Sequence, residues 1–272
     1  MTDARGDEAA APPGIDVSVP SVARVYDYVL GGQDNFAADR AAAASFMDRV
    51  PEAVEMAQEN RAALRRVVRW LVERAGIRHI LDIGSGLPTA GNVHEVAREI
   101  DPGVHVVYVD HDPIVLAHAR ALLAADERTA VIQGDLRDPA AIFADPVVGR
   151  LIDLERPYAV LASGILHHFA DDEDPAGIAH ALVDRLPSGG YLYVSNFLDA
   201  GDPRARALED GFLRGGLGRG RFRTREEQLP FYDGLELVEP GFVPLNDWHP
   251  DLHTPRDSRT RGLMGGAVGR KP

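Results

Sequence analysis

The 272-residue chain has no cysteine and a single lysine, Lys271. Without cysteine there is no disulfide, no thiolate metal site and no thiol nucleophile, which removes several enzyme classes together. Positive charge is carried almost wholly by arginine, and alongside the heavy alanine usage this marks a high-GC genome rather than a function. Basic residues are also in deficit. The balance of 29 against 42 acidic residues gives a net charge of -13, opposite to the footprint that binds phosphate backbones. No nucleic-acid partner is expected, and a small-molecule partner is. No apolar run approaches the ~18 residues that a membrane span requires, and the opening "MTDARGDEAAAPPG" carries acids where a signal peptide has an apolar core. The chain reads as cytoplasmic, with no membrane partner.

At 45% hydrophobic residues, the chain can bury the core of one large domain or of a domain with a cap. Residues 1–19 mix Ala, Pro, Gly and Asp without periodicity and read as a disordered tail. From Ser21 to Leu30, "SVARVYDYVL" sets Val22, Val25, Tyr26 and Val29 at helical spacing, and Gly31-Gly32 ends that helix. Helices are expected again over 36–48 and 52–75, the second with Leu64, Val67, Val68 and Leu71 on one face and Gly76 as its stop. Residues 20–75 therefore read as an N-terminal helical cap. Beyond them, short apolar runs at 77–83, 104–109, 129–133, 157–162 and 190–195 alternate with helical stretches, the pattern of a parallel α/β sheet covered on both faces. Asn92 with Glu95, Asp112 before Pro113 and Asp174 before Pro175 mark helix starts. Two closing strands are expected at 235–243 and 263–268.

Ligands of open parallel sheets lie at the carboxyl ends of the strands, near the point where strand order reverses. Asp82, Asp110, Asp135 and Ser163 each fall at or just after such an end. The segment "HILDIGSGLPTAGN" begins like a dinucleotide fingerprint but departs from it. Thr89 stands at the third glycine position, Pro88 has no N–H to donate, and Asp82 brings negative charge toward a pyrophosphate. S-adenosylmethionine, with an ammonium, a sulfonium and no phosphate, suits that charge pattern. Asp82 would attract its amino group, while Gly84, Ser85 and Gly86 let the backbone approach its methionine and ribose. Asp110, 24 residues after Gly86, would accept the ribose hydroxyls. Asp135 of "QGDLRD" would accept the adenine amine while the Leu136 N–H reaches a ring nitrogen. Singly, each aspartate is as readily a helix cap; their occurrence on three successive strands carries the reading. Asp112 reads as a cap alone.

"LDIGSGLPTAGNVHEVA", "VVYVDHDPIVLAHARALLA", "GDLRDP" and "PSVARVYDYVLGGQDNFAADR" resemble the actinobacterial S-adenosylmethionine-dependent methyltransferases once grouped as DUF574, within the class I methyltransferase superfamily. The resemblance covers almost the full chain from Pro20. It implies a Rossmann-like class I sheet, mostly parallel with an antiparallel last strand and helices on both faces, over 76–272. It also implies S-adenosylmethionine as cofactor and adds His111 to the cofactor-facing set. It does not supply the methyl acceptor.

In such proteins the segment after the fourth strand, here "ASGILHHFADDED", runs beside the cofactor toward the acceptor. Ser163 and Gly164 are candidates for that wall, and His167 or His168 for a base that takes the acceptor proton. Packing is the competing account, because methyl transfer from a sulfonium can proceed by positioning alone. Adjacent histidines make no persuasive metal pair, and no metal site is expected. Around Gly31-Gly32, the residues Tyr26, Asp27, Tyr28, Asp34, Asn35 and Phe36 suggest a lid over a small ligand; a helix stop followed by a cap explains them equally. Asn60 and Arg61 could reach a cofactor carboxylate, although Arg61 reads first as an ordinary exposed arginine. Two other functions compete: a non-catalytic S-adenosylmethionine-binding or sensing protein and, disfavoured by Asp82 and Pro88, a nicotinamide-dependent oxidoreductase.

Overall fold

The computed structural model describes residues 16–88, 91–123 and 126–272. Most of the expected tail, and Thr89, lie outside the described residues. Eight strands form one sheet: β1 (His79–Ile83), β2 (His105–Asp110), β3 (Thr129–Gln133), β4 (Ala159–Ser163), β5 (Tyr191–Phe197), β6 (Glu236–Leu237), β7 (Val243–Pro244) and β8 (Met264–Arg270). Their order is β3-β2-β1-β4-β5-β8-β6, with β7 also paired to β8. The first five run parallel, and β8 returns antiparallel between β5 and the two short strands. Strand order reverses between β1 and β4, which puts the ligand crevice at their carboxyl ends.

All five expected central runs are strands; four are buried almost throughout because helices cover both faces, and β3, at the sheet edge, is only partly buried. The period of two sorts their side chains. Leu81, Ile83, Val107 and Val160 share one core with Ile142, Val148 and Leu182, whereas Ile80, Val106 and Leu161 share the other with Leu64, Val67 and Leu71. The run at 235–243 is not one strand, as expected, but two fragments. Pro240 has no N–H to give a ladder, and Gly241 takes a left-handed turn at φ +84°.

The helices are α1 (Val22–Val29), α2 (Ala37–Met47), α3 (Ala53–Glu73), α4 (Val93–Arg98), α5 (Pro113–Leu123), α6 (Pro139–Ala144), α7 (Pro146–Leu151), α8 (Pro175–Arg185), α9 (Pro203–Arg214) and α10 (Arg225–Gln228). One local device starts many of them. Asp138, Asp145, Asp174 and Asp202 each accept a backbone N–H from the first turn, with proline in that turn lacking the N–H that would go unpaired. Asp112 accepts the Ile114 N–H at 2.9 Å in the same manner.

The helices before the sheet divide their loyalties. α3 lays Leu64 to Val72 on the sheet, while α1, α2 and α9 form a separate core with Val25, Val29, Phe46, Leu208 and Met264. A fully buried Asp39 holds the start of this cap, pairing with Arg24 at 3.1 Å and accepting the backbone N–H groups of Ser21 and Phe36. α2 and α9 meet at Gly211, where an added Cβ would lie 2.4 Å from Phe46 Cβ. Gly211→Ala should therefore destabilise the protein by about 1–3 kcal/mol through overpacking. Gly149→Ala, on α7 with open space around it, should instead stabilise by roughly 0.5–1 kcal/mol. Urea unfolding followed by circular dichroism checks both signs.

Candidate active site

A cavity of about 360 Å³ opens at the carboxyl ends of β1 to β4 beneath the cap. Its wall has two chemical halves. Arg61, Asp82, Asp110, His111, Asp135 and Arg137 line the half over the strand ends, and Val25, Val29, Phe46, Leu208, Phe212 and Met264 line the half under the cap.

Asp82 faces the α3 side of the sheet at the end of β1. It is 4% exposed, and burial pushes its carboxyl up to about 7, against the pull of Arg61 and with a smaller push from Asp110. Its carboxylate accepts no hydrogen bond among the described residues. Arg61 is half-buried rather than an ordinary exposed arginine, and it borders both this cavity and a smaller one beside Asp82 that reaches His94 and Tyr108. After β1 the chain turns left-handed at Gly84 (φ +71°) and Gly86 (φ +68°), and the N–H groups of Gly84 and Ser85 both donate to Val109 O. A Cβ on Gly84 would strike Ile165 at 2.2 Å, whereas one on Gly86 would meet only open space.

Asp110 ends β2. One of its oxygens accepts Gly86 N–H and the other accepts Asp112 N–H, each at 2.9 Å. Burial raises its carboxyl and those two bonds oppose the rise; each oxygen keeps a lone pair for a ligand. The Asp112 side chain caps α5 and also accepts the Ser21 hydroxyl, tying the cap to this loop. His111 is exposed at the rim, 3.6 Å from Asp110. Asp135 lies in an exposed turn after β3, paired with Arg137 at 3.3 Å, while the following Leu136 is buried and its N–H has no partner among the described residues.

Ser163 ends β4 in a network legible only in three dimensions. Asn60 Oδ1, from α3, accepts Ser195 Oγ at 2.8 Å and Ser163 Oγ at 3.3 Å, while its Nδ2 donates to the Tyr26 hydroxyl at 3.4 Å. Tyr26 in turn donates to Ala57 O. Gly164 follows Ser163 with φ +68°. His167 and His168 lie one turn further on, and both line the cavity. Residues 214–222, within the segment after 200 that the sequence reading places around the acceptor, form a strap over them, and His168 Nδ1 lies 2.9 Å from Leu217 O. Gly220 packs where a Cβ would sit 2.0 Å from His167 O, and exposed ion pairs of Arg219 with Asp172 and Arg221 with Asp171 and Glu227 hold the strap down.

Of the lid candidates, only Tyr26 lines the cavity. Tyr28, Gly31, Gly32, Asn35 and Phe36 stand away from it. Asp27 accepts Asp34 N–H and Asn35 Nδ2 at 2.9 Å each, and its carboxylate occupies the space that a Gly32 side chain would need. Phe36 packs with Ala23, Leu87, Ile114 and Val115. Among the described residues no cluster of His, Asp or Glu could hold a metal, and no helix is long and apolar enough to cross a membrane.

A family model described as S-adenosyl methyltransferase matches residues 8–272. The chain belongs to this family. Two solved structures share nearly its full length. A Thermobifida fusca YX protein proposed to be a methyltransferase is 45% identical with a TM-score of 0.91, covering 96% of this chain and 98% of its own. A DUF574 family protein of Streptomyces avermitilis MA-4680 is 39% identical with a TM-score of 0.90, covering 94% and 99%. A curated relative, ribosomal RNA small subunit methyltransferase H of Chlorobium phaeobacteroides (strain BS1), is 31% identical over 124 residues; the match spans 38% of this chain and 37% of that relative. The family chemistry is S-adenosylmethionine-dependent methyl transfer, so the crevice between β1 and β4 belongs to a transferase.

The two histidines of this methyltransferase are neutral in the folded state. Burial holds His167 well below the usual imidazole range, with His168 and Arg223 adding to the shift, and burial also brings His168 down to about 4, with His111 adding to it. A depressed pKa gives stability that is complete above the ordinary histidine value of about 6.5 and is lost as the pH falls toward the folded value. Stability should therefore decline between pH 6.5 and 4. His168→Asn should flatten part of that decline, by at most about 1.4 kcal/mol per pH unit, in urea unfolding across a pH series.

Proposed function

We propose that this S-adenosylmethionine-dependent methyltransferase holds its cofactor over the ends of β1 to β3 and methylates a small molecule admitted to the apolar half of the cavity. The observation that carries this is Asp82: a buried carboxylate with no hydrogen-bond partner among the described residues, beside Arg61 and open to the crevice. A buried charge without a partner is costly, and a ligand ammonium removes the cost. In this reading Asp82 takes the amino group and Arg61 the carboxylate of the methionine portion. Gly84, Ser85 and Gly86 form the floor beneath it, and the open space at Gly86 leaves room for close approach. Asp110 accepts the ribose hydroxyls and His111 shields them at the rim. Asp135 and the unpartnered N–H of Leu136 read the adenine edge, and Ser163 with Gly164 walls the methyl group.

The bound cofactor supplies a methyl group on a sulfonium. The protein's part is to orient the acceptor and to keep water away, a task for the cap over 20–75 and the strap. The split wall supports a small uncharged acceptor, because every charged lining side chain lies in the cofactor half.

The charge pairing gives this reading a pH signature. Asp82 must lose its proton to bind an ammonium, so affinity for S-adenosylhomocysteine should rise as the pH climbs from 5.5 toward 7. The limiting slope is about tenfold per unit for one proton. Asp82→Asn should erase the acid limb and weaken binding roughly ten- to a hundredfold, the scale of a charge-assisted hydrogen bond. Titration calorimetry from pH 5.5 to 8.5 measures both; an unchanged profile in Asp82→Asn, or saturable binding of NAD instead, would sink the assignment.

A further inference from the structure

Gln228, Asn196 and His167 form a buried chain that fixes which nitrogen of His167 meets the cavity. Gln228 Nε2 lies 2.9 Å from two backbone carbonyls, Phe197 O and Arg223 O. Carbonyls only accept, so the Gln228 amide can take one orientation and its Oε1 must face Asn196. There it accepts Asn196 Nδ2–H at 3.2 Å, which turns Asn196 Oδ1 toward His167. That oxygen receives the His167 backbone N–H at 3.1 Å and its Nδ1–H at 3.3 Å. The proton of the neutral imidazole is thus committed to Nδ1. Nε2 carries a lone pair and makes no hydrogen bond among the described residues. The ring borders the cavity beside Gly164, whose missing Cβ would lie 4.0 Å from His167 Cε1.

Two backbone carbonyls, two buried amides and a histidine in series are more than packing requires. Resting on the reading that the crevice binds S-adenosylmethionine, we propose that His167 Nε2 accepts the proton of an acidic hydroxyl on an uncharged, ring-bearing acceptor, so that the product is a methyl ether. Gln228 and Asn196 are its positioning residues. As the acceptor oxygen bonds to the methyl carbon, the sulfur–carbon bond breaks with its electron pair kept by sulfur, and the hydroxyl proton passes to His167 Nε2. One positive charge leaves sulfur and one arrives on the imidazole, so the buried site holds the same charge before and after. This is why a histidine backed by neutral Asn196 serves here. It stays unprotonated while the sulfonium is present, and it gains a proton only as that charge disappears.

The cavity narrows the acceptor further. Phe197 and Phe212 line the cavity with His167 and form an aromatic corner, Phe197 lying edge-to-face against His167 at 4.7 Å and against Phe212 at 5.5 Å. A flat acceptor ring would pack against that corner. An ammonium would enter an apolar pocket beside a sulfonium and be repelled. An aliphatic alcohol would hold its proton too tightly for a weakly basic imidazole, whereas a phenolic or enolic hydroxyl is closer in acidity to it.

The test uses the full chain saturated with S-adenosylhomocysteine, with 2-naphthol and 2-methoxynaphthalene as probes. Long-range ¹⁵N–¹H spectra should show His167 protonated on Nδ1 alone. Gln228→Leu should release the Asn196 amide and mix the tautomers, an effect that packing alone would not produce. Addition of 2-naphthol should shift the His167 Nε2 resonance, and 2-methoxynaphthalene should not. The naphthol should bind about tenfold more tightly than its methyl ether, and His167→Phe should bring that ratio close to one. A His167 protonated on Nε2 in the wild-type protein, equal affinity for the two probes, or binding of neither overturns the proposal. The tautomer measurement needs no variant, so a misfolded His167→Phe does not blunt the test. Failure of S-adenosylhomocysteine itself to bind would overturn the cofactor reading separately, before any naphthol is added.

Discussion

A carboxylate at the end of a buried strand has to be answered by something, and at Asp82 none of the described residues answers it with a hydrogen bond. The contrast with its other buried acids is the key to the site. Asp39 has a guanidinium and two backbone N–H groups; Glu59 has Asn246, Ser258 and Thr260; Asp110 has Gly86 and Asp112. Among the described residues Asp82 has only the nearby field of Arg61 and an opening. Buried polar groups are nearly always satisfied, so one left unpaired at a strand-order reversal marks where a ligand completes the structure.

Much of the fold was legible because its signals are local. Aspartate followed by proline starts a helix at 112, 138, 145, 174 and 202, though only a turn at 101, and alternating apolar runs identify every central strand. The strand-end aspartates were legible for the same reason, since one residue after a buried run needs no tertiary information. What escaped was everything made by distant pairs. Asn60 matters because Ser163 and Ser195, more than a hundred positions away, converge on it. Asn196 and Gln228 matter because β5 and α10 are brought together. Arg61 read as a surface residue because helical periodicity shows which face is apolar, not what stands opposite a polar one. The polar-aromatic cluster at 26–36 could be read from composition either as ligand contact or as a helix stop and cap, and most of it is spent on a compact turn closed by Asp27.

The two halves of the cavity consequently differ in how they are encoded. The half over the sheet comes from consecutive strand ends, each fixed by its own short stretch of chain. The half under the cap is assembled from α1 to α3, the end of β5, α9 and the start of β8. A substitution in any of those segments can reshape the apolar half while leaving Asp82, Asp110 and Asp135 untouched.

The strap over His167 and His168 is attached in two ways. Its arginines are held to Asp171, Asp172 and Glu227 by pairs that remain largely in water, where each contributes about 0–1 kcal/mol. Its Leu217 and Phe222 are buried in the apolar core shared by α1, α2 and α9. Ionic strength acts on the first attachment and hardly on the second. A salt-rich medium would therefore loosen only the outer rim of the strap and leave it seated on the same core that carries the cap.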